Sequence, residues 1–134
     1  MLDDRELIEQ RIARILRERL LPACYGATAP LSVQVWHAPG EPPEVADGLA
    51  ASYRPSEPGE AWGPAWGTSW FHLTGVVPAG WAGATVEAIV DLGFAIGRPG
   101  FSAEALVHRP DGSAVKGLNP MNVWVAIADR ASGG

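Results

Sequence analysis

The sequence predicts a mainly β protein, an antiparallel β-sandwich preceded by one N-terminal α-helix. Turn formers are abundant, with 16 glycines and 12 prolines among 134 residues, and such a composition favours short strands over long helices. After residue 21 the apolar residues recur in short alternating runs separated by turn sequences, as in all-β proteins. The predicted organisation is a helix in residues 1–24, a Pro- and Gly-rich strand and loop segment in 25–60, and a β-sandwich body in 61–134.

The N-terminal segment carries the one clear helical pattern, which predicts a helix over residues 3–21. Asp3 is the candidate N-cap, Glu6 is its capping-box partner, and Pro22 is expected to end the helix. Acidic residues dominate the first turns and arginines the last, which suits the helix dipole. Apolar residues at three- and four-residue steps form a stripe that must pack on a partner, and this candidate helix interface consists of Ile8, Ile12, Ile15, Leu16 and Leu20.

Strand signals begin with LSVQVWH (31–37), whose alternation predicts a half-buried strand. Residues 38–60 are predicted as a long loop, because APGEPPE forbids regular structure. Further strands are predicted in TSWFHLTGVV, ATVEAIVDLGF, FSAEALVHR and MNVWVAIA. The sequence PDGSAVKGLNP is read as a link, in which Asp111-Gly112 indicates a tight hairpin. The expected core residues, some of which alternation leaves on the outer face, are Phe71, Leu73, Val86, Ile89, Leu106, Val107, Val123 and Val125.

The run AWGPAWGTSWFHL (61–73) contains three tryptophans four residues apart. Glycine and proline between them exclude a helix, so we interpret the run as two turns followed by a strand. In an extended chain Trp66, Trp70 and His72 would share one face. An indole face can stack on the C–H side of a sugar, and packing within the sandwich is the competing interpretation. The candidate docking or sugar-contact residues are Trp62, Trp66, Trp70 and His72.

Charge and composition exclude several classes of protein. The formal net charge is −5 and Lys116 is the only lysine, which argues against a nucleic-acid partner, because phosphate binding needs clustered Lys and Arg. No apolar run approaches the ~18 residues of a membrane helix, and the charged N-terminus lacks the apolar segment of a signal peptide. We therefore expect a cytoplasmic protein without a membrane partner. Cys24, the only cysteine, is expected to be an inert, partly buried thiol.

The order of these segments resembles a known family. WGPAWGTSWFHLTGVVPAGWAG, VEAIVDLGF, PGFSAEALVHRPDGSAVKGLNP and a closing apolar strand are similar to the N-terminal domain of bacterial α-mannosidases. These enzymes belong to glycoside hydrolase family 38, in the branch that includes the cytosolic and vacuolar enzymes. The resemblance runs from about Tyr53 to Ala128, and the preceding helix also fits the family. It implies a sandwich of the jelly-roll or galactose-binding-like kind.

The resemblance implies that catalysis takes place in a separate zinc-dependent domain, with an aspartate nucleophile and an acid–base carboxylate. The family's His-x-Asp ligand pair is missing here, since Ala-Pro, Leu-Thr and Arg-Pro follow His37, His72 and His108. We therefore expect no cofactor or metal in this chain, zinc only in the catalytic domain, and no hydrolysis by this chain alone. Asp91 and Glu104 are interpreted as separate surface acids rather than a catalytic pair.

Two functions from different classes stay open. One is a non-catalytic structural and docking domain of a zinc-dependent α-mannosidase that hydrolyses terminal α-mannosides, with the catalytic domain or a neighbouring subunit as partner. The other is a freestanding carbohydrate-binding β-sandwich. The resemblance leads us to expect more strands after WVAIADRASGG, so the sandwich is expected to be truncated. Its open edges and the helix stripe should make the chain a homo-oligomer, most simply a two-fold dimer.

Overall fold

The computed structural model describes residues 4–93 and 102–133 of the chain. It divides into two compact units, Met1–Pro30 and Leu31–Gly134. The first unit is helical and the second consists mainly of antiparallel strands. Their boundary lies close to the predicted start of the first strand.

The helical unit contains three consecutive segments. These are α1 (Arg5–Ile15), a π-helical turn (Leu16–Leu20) and α2 (Leu21–Cys24). Asp4 precedes α1 without a side-chain capping bond, and the predicted cap Asp3 lies outside the described residues. No helix in the described part of the chain is long and apolar enough to cross a bilayer.

The prediction that Pro22 ends the helix was wrong. Helical structure continues to Cys24, and Pro22 lies in the first turn of α2. Proline lacks an N–H group and its ring collides with the carbonyl four residues before it in a regular helix. The preceding turn is widened, because the Leu21 N–H donates to the carbonyl of Leu16, five residues earlier. This π turn accommodates the proline without ending the helix.

The first sheet of the second unit has the strand order β2-β1-β3, with both pairs antiparallel. β1 is Ser32–His37, β2 is Arg54–Ser56 and β3 is Ser69–Thr74. In the register of β1 and β3, Val35 is opposite Phe71 and Trp36 is opposite Trp70. Because side chains alternate along a strand, these two pairs lie on opposite faces of the sheet.

The segment predicted as a long loop, residues 38–60, also contains regular structure. It holds a short helix, α3 (Val45–Ala50), and the edge strand β2. The prolines that disfavour regular structure precede the helix, and VADGLA itself contains none. The Tyr53 hydroxyl donates a hydrogen bond of 2.9 Å to the Gly48 carbonyl and so ties α3 to the chain that follows it.

The remaining strands form two antiparallel pairs. β4 (Val86–Ile89) pairs with β7 (Trp124–Ala128), and β5 (Ala105–His108) pairs with β6 (Ala114–Leu118). The fold class predicted from the sequence, mainly antiparallel β with an N-terminal helix, is therefore confirmed. One error is the link PDGSAVKGLNP, half of which forms β6.

The hairpin between β5 and β6 turns where Asp111-Gly112 predicts it. The Gly112 N–H donates to the Arg109 carbonyl at 2.9 Å, closing a four-residue turn. Gly112 has a φ of 85°, a left-handed conformation that glycine adopts without steric cost. Asp111 accepts a bond from the Ser113 N–H, as aspartate does in turns. The prediction of a tight turn is confirmed.

The core is small. The buried apolar residues among those described are Val35, Val86, Leu118, Val125 and Ala131. Val86 and Val125 were predicted, whereas Phe71, Leu73, Val107 and Val123 are half-buried. Ile89 and Leu106 are wrong as core residues, with 46% and 58% of their surfaces exposed. In their strands these two residues alternate with residues that are more deeply buried, so they face outwards.

Candidate functional site

The three tryptophans of residues 61–73 do not form one platform. Trp62 packs edge-on against Phe71, with ring centroids 5.6 Å apart and an interplanar angle of 88°. Its indole N–H donates to the Leu92 carbonyl at 3.3 Å. Trp62 is therefore half-buried on the Phe71 face of the first sheet, and its hydrogen-bonding group is occupied.

Trp70 lies on the opposite face of the same sheet. Its indole stacks on the His108 ring, with a centroid distance of 5.6 Å and an interplanar angle of 26°. On α3, Gly48 approaches the indole so closely that a Cβ atom at this position would overlap the ring. His108 in turn donates from Nδ1 to the Gly112 carbonyl at 3.1 Å. Trp70 thus joins β3, α3 and the β5–β6 hairpin, which is a packing role.

His72 shares the Trp70 face of β3 and is exposed. Its ring meets Tyr53 edge-on at 5.9 Å, and its Nδ1 donates to the Gln34 side-chain oxygen at 3.3 Å. Burial raises the pKa of the Tyr53 phenol. Of the four candidate residues, the fold therefore brings only Trp70 and His72 to one face.

Trp66 stands in a turn before β3, so it does not continue the alternation of that strand. The Gly67 N–H donates to the Pro64 carbonyl at 3.0 Å, and Trp66 is the third residue of this turn. It has a φ of 65°, the only positive φ of a non-glycine residue in the described parts of the chain. A side chain in the left-handed region costs roughly 1–2 kcal/mol. The indole at this strained position is fully exposed.

Metal-ligating residue types are dispersed in the described part of the chain. Across residues 4–93 and 102–133, no group of three His, Cys, Asp or Glu side chains is arranged to hold a metal. The Nδ1 of His37 contacts the Ser69 hydroxyl at 2.8 Å. The Asp91 carboxylate accepts a bond from the Gly93 N–H at 2.9 Å, so Asp91 belongs to a turn after β4. Glu104 is exposed.

The stripe on the N-terminal helix is exposed along its whole length. Each member, Ile8, Ile12, Ile15, Leu16 and Leu20, has 46–60% of its surface accessible. Cys24, at the end of α2, is also exposed, which corrects the expectation of a partly buried thiol. The sulfur lies 3.3 Å from the Leu20 carbonyl.

Two clusters were missed by the sequence analysis. The ammonium of Lys116 is buried, has no hydrogen-bond partner among the described residues, and lies 2.9 Å above the centroid of the Trp124 ring. Glu60 binds Arg54 at 2.8 Å and accepts a bond from the Ser56 hydroxyl at 2.8 Å. Arg54, with Ser56 and the Glu57 N–H, lowers the pKa of Glu60 to about 2. The single lysine inside an apolar strand was a sequence signal for the cluster of Lys116 and Trp124. No sequence signal indicated the cluster around Glu60.

Comparison with known proteins identifies the family. The family model described as alpha-mannosidase, jelly roll domain, matches residues 29–134. No curated protein matches the chain significantly. The matched range covers most of the chain and includes every strand described above. The resemblance inferred from the tryptophan run and the following strands is therefore confirmed: this chain belongs to the α-mannosidase jelly-roll domain family, as an N-terminal domain of such an enzyme.

Proposed function

We propose that this chain is a non-catalytic docking domain of a zinc-dependent α-mannosidase that hydrolyses terminal α-mannosides. The enzyme would be cytoplasmic and belong to the cytosolic and vacuolar branch of glycoside hydrolase family 38. The zinc ion and the catalytic carboxylates lie in its catalytic domain. The observation that carries the proposal is the family match over residues 29–134.

Trp66 supports the docking role. Its left-handed φ of 65° and its full exposure both cost free energy in the isolated domain. Glycine is the favoured residue at the third position of a turn with positive φ, yet this position is occupied by tryptophan, the largest of the amino-acid side chains. Strained residues of this kind persist where the surroundings or a function require them. Contact with the catalytic domain or a neighbouring subunit would bury the indole.

The sugar-binding alternative receives less support from the geometry. A platform needs exposed, coplanar rings, whereas Trp62 is held edge-on and Trp70 is covered by His108. Of these three tryptophans, Trp66 alone presents an exposed ring face. A titration of mannose or mannan against the chain, followed by tryptophan fluorescence, is expected to give no saturable change. A saturable change that Trp66→Ala removes would overturn the docking role in favour of sugar binding.

The decisive experiment compares Trp66→Gly in the isolated chain and in the intact enzyme. In the isolated chain the substitution relieves backbone strain and should raise stability by up to about 1 kcal/mol, because glycine's greater unfolded-state freedom offsets part of the gain. In the intact enzyme the same substitution removes the docking contact. It should lower the midpoint of thermal inactivation and leave the KM for an aryl α-mannoside unchanged.

Met121→Ala provides the matched control. Met121 is another strongly exposed apolar side chain of the second unit, and it has no positive φ. We expect its removal to change neither the isolated chain nor the intact enzyme by more than about 0.5 kcal/mol. If Trp66→Gly stabilises both forms equally, Trp66 does not dock. Zinc-dependent turnover by the purified isolated chain would refute the non-catalytic role itself.

A further inference from the structure

The N-terminal helix carries an apolar row that is suited to packing on another helix. Ile8, Ile12, Leu16 and Leu20 follow one another at steps of four residues, and all four are about half exposed. Side chains at this spacing form a ridge along a helix, and such ridges interdigitate with those of a second helix. The widened turn at Leu16–Leu20 takes more residues per revolution and so keeps Leu20 near the row.

Charge along the helix indicates which partner fits this row. In the first half, Asp4, Glu6 and Glu9 outnumber Arg5. The second half contains four arginines, at positions 11, 14, 17 and 19, against the single acid Glu18. The helix is thus negative towards its N-terminus and positive towards its C-terminus. A second copy laid antiparallel would place each negative half beside a positive half, whereas a parallel copy would place like charges together.

We propose that two copies of this chain pair through their N-terminal helices, antiparallel and about a two-fold axis. The centre of the apolar row lies near Arg14, so residue 8 faces residue 20 of the second copy and residue 12 faces residue 16. Residues 9 and 19 of the two copies then stand at the same level along the pair, and this relation occurs at both ends, as a two-fold axis requires. The row becomes a shared core of eight apolar side chains. This inference does not depend on the proposed function.

The first test measures the oligomeric state of the full chain. Sedimentation velocity over a range of concentrations is expected to show a monomer–dimer equilibrium. Ile12→Asp places two charges in the centre of the shared core and should weaken the dimer by on the order of a hundredfold or more. Gln10→Asp is the matched control. It introduces the same residue two positions away, which on a helix is nearly the opposite face, and should leave the equilibrium within about threefold.

The second test determines the orientation of the pair, using Cys24 as a probe. In the antiparallel pair residue 24 faces residue 4 of the second copy, and the two Cys24 thiols lie about 30 Å apart, at 1.5 Å per residue. A short bis-maleimide should therefore crosslink Asp4→Cys quickly and the unsubstituted chain only slowly. The double variant Asp4→Cys with Cys24→Ser should also crosslink slowly, since its thiols lie at opposite ends.

Each result decides the proposal. A chain that remains monomeric at all concentrations overturns it and indicates that the apolar row packs within the same copy or on another protein. Dimers that survive Ile12→Asp overturn it in favour of pairing through strand edges. Crosslinking of the unsubstituted chain as fast as Asp4→Cys would establish a parallel pair instead. Circular dichroism of each variant verifies that the helix is retained.

Discussion

The contact between α3 and Trp70 leads to a prediction about Gly48. Gly48 is buried in α3, and the indole of Trp70 occupies the space where any Cβ would lie. The same indole stacks on His108 of β5. Gly48→Ala therefore forces the helix or the ring to move, and a movement of the ring disturbs its stacking on the β5–β6 hairpin.

The magnitude follows from two opposing effects. Overpacking in a folded interior costs typically 1–3 kcal/mol, and overlap with several ring atoms at once places this substitution near 3 kcal/mol. Alanine is favoured over glycine within a helix by about 1 kcal/mol, which returns part of that loss. The expected net destabilisation is about 2 kcal/mol. For a unit of this size it corresponds to a fall in the thermal midpoint of roughly 8 °C.

The assay is urea unfolding followed by tryptophan fluorescence, with the double-mutant cycle Gly48→Ala and Trp70→Leu. In the Trp70→Leu background the added methyl has space, so only the helix preference of alanine remains and Gly48→Ala should stabilise by about 1 kcal/mol. The coupling free energy should therefore approach about 3 kcal/mol. Gly80→Ala is the control, because no described residue beyond its chain neighbours has an atom within 4 Å of the Cβ position at Gly80. It should change stability by less than about 0.5 kcal/mol. The reasoning fails if Gly48→Ala is as stable as Gly80→Ala.

Two further predictions concern the clusters that sequence analysis missed. Because Arg54 and its neighbours hold the pKa of Glu60 near 2, the carboxylate contributes stability above about pH 4.5 that is lost as the pH falls towards 2. The thermal midpoints of the unsubstituted chain and of Glu60→Gln should therefore differ at pH 6 and converge by pH 2. The control Glu57→Gln should show no comparable convergence with the unsubstituted chain. Equal midpoints of the chain and Glu60→Gln at pH 6 would refute a stabilising role for Glu60. Trp124→Leu removes the ring above which the Lys116 ammonium lies. Its cost in free energy of unfolding should be about 1–2 kcal/mol smaller in a Lys116→Met background, because the cation–π contact is already lost there. Chemical denaturation of the four forms measures this coupling, and simple additivity would show that the contact contributes nothing.

The sequence predicted the positions of five of the seven described strands, because alternation and turn residues are local signals, and it missed β2 and β6. β1 and the Asp111-Gly112 hairpin fall where these signals place them. Errors arose where one residue was given too much weight. Pro22 was taken to end the helix, whereas a π turn accommodates it. APGEPPE was taken to exclude regular structure through residue 60, whereas α3 begins directly after this motif, at Val45.

The candidate site could be predicted only in part. The residue types were visible, but spacing along the chain could not place them in three dimensions. Trp62 contacts Phe71 on one face of the first sheet, and Trp70 contacts His108 on the other face. Trp70 and His108 are nearly forty residues apart in the sequence. The left-handed turn at Trp66 carries no local signal, since its third residue is a tryptophan where glycine is typical.

The hairpin β5–β6 is nested in sequence between β4 and β7, and this arrangement affects how the domain folds. Val86 pairs with Ala128 across more than forty residues, whereas Ala105 pairs with Leu118 across a much shorter loop. Closing a long flexible loop costs conformational entropy that rises with the logarithm of its length. A hairpin formed first within that loop reduces its free length, so early formation of β5–β6 lowers the barrier to pairing β4 with β7. The order of events is thus built into the connectivity, with local contacts forming in microseconds and the long-range pair controlling the overall folding rate.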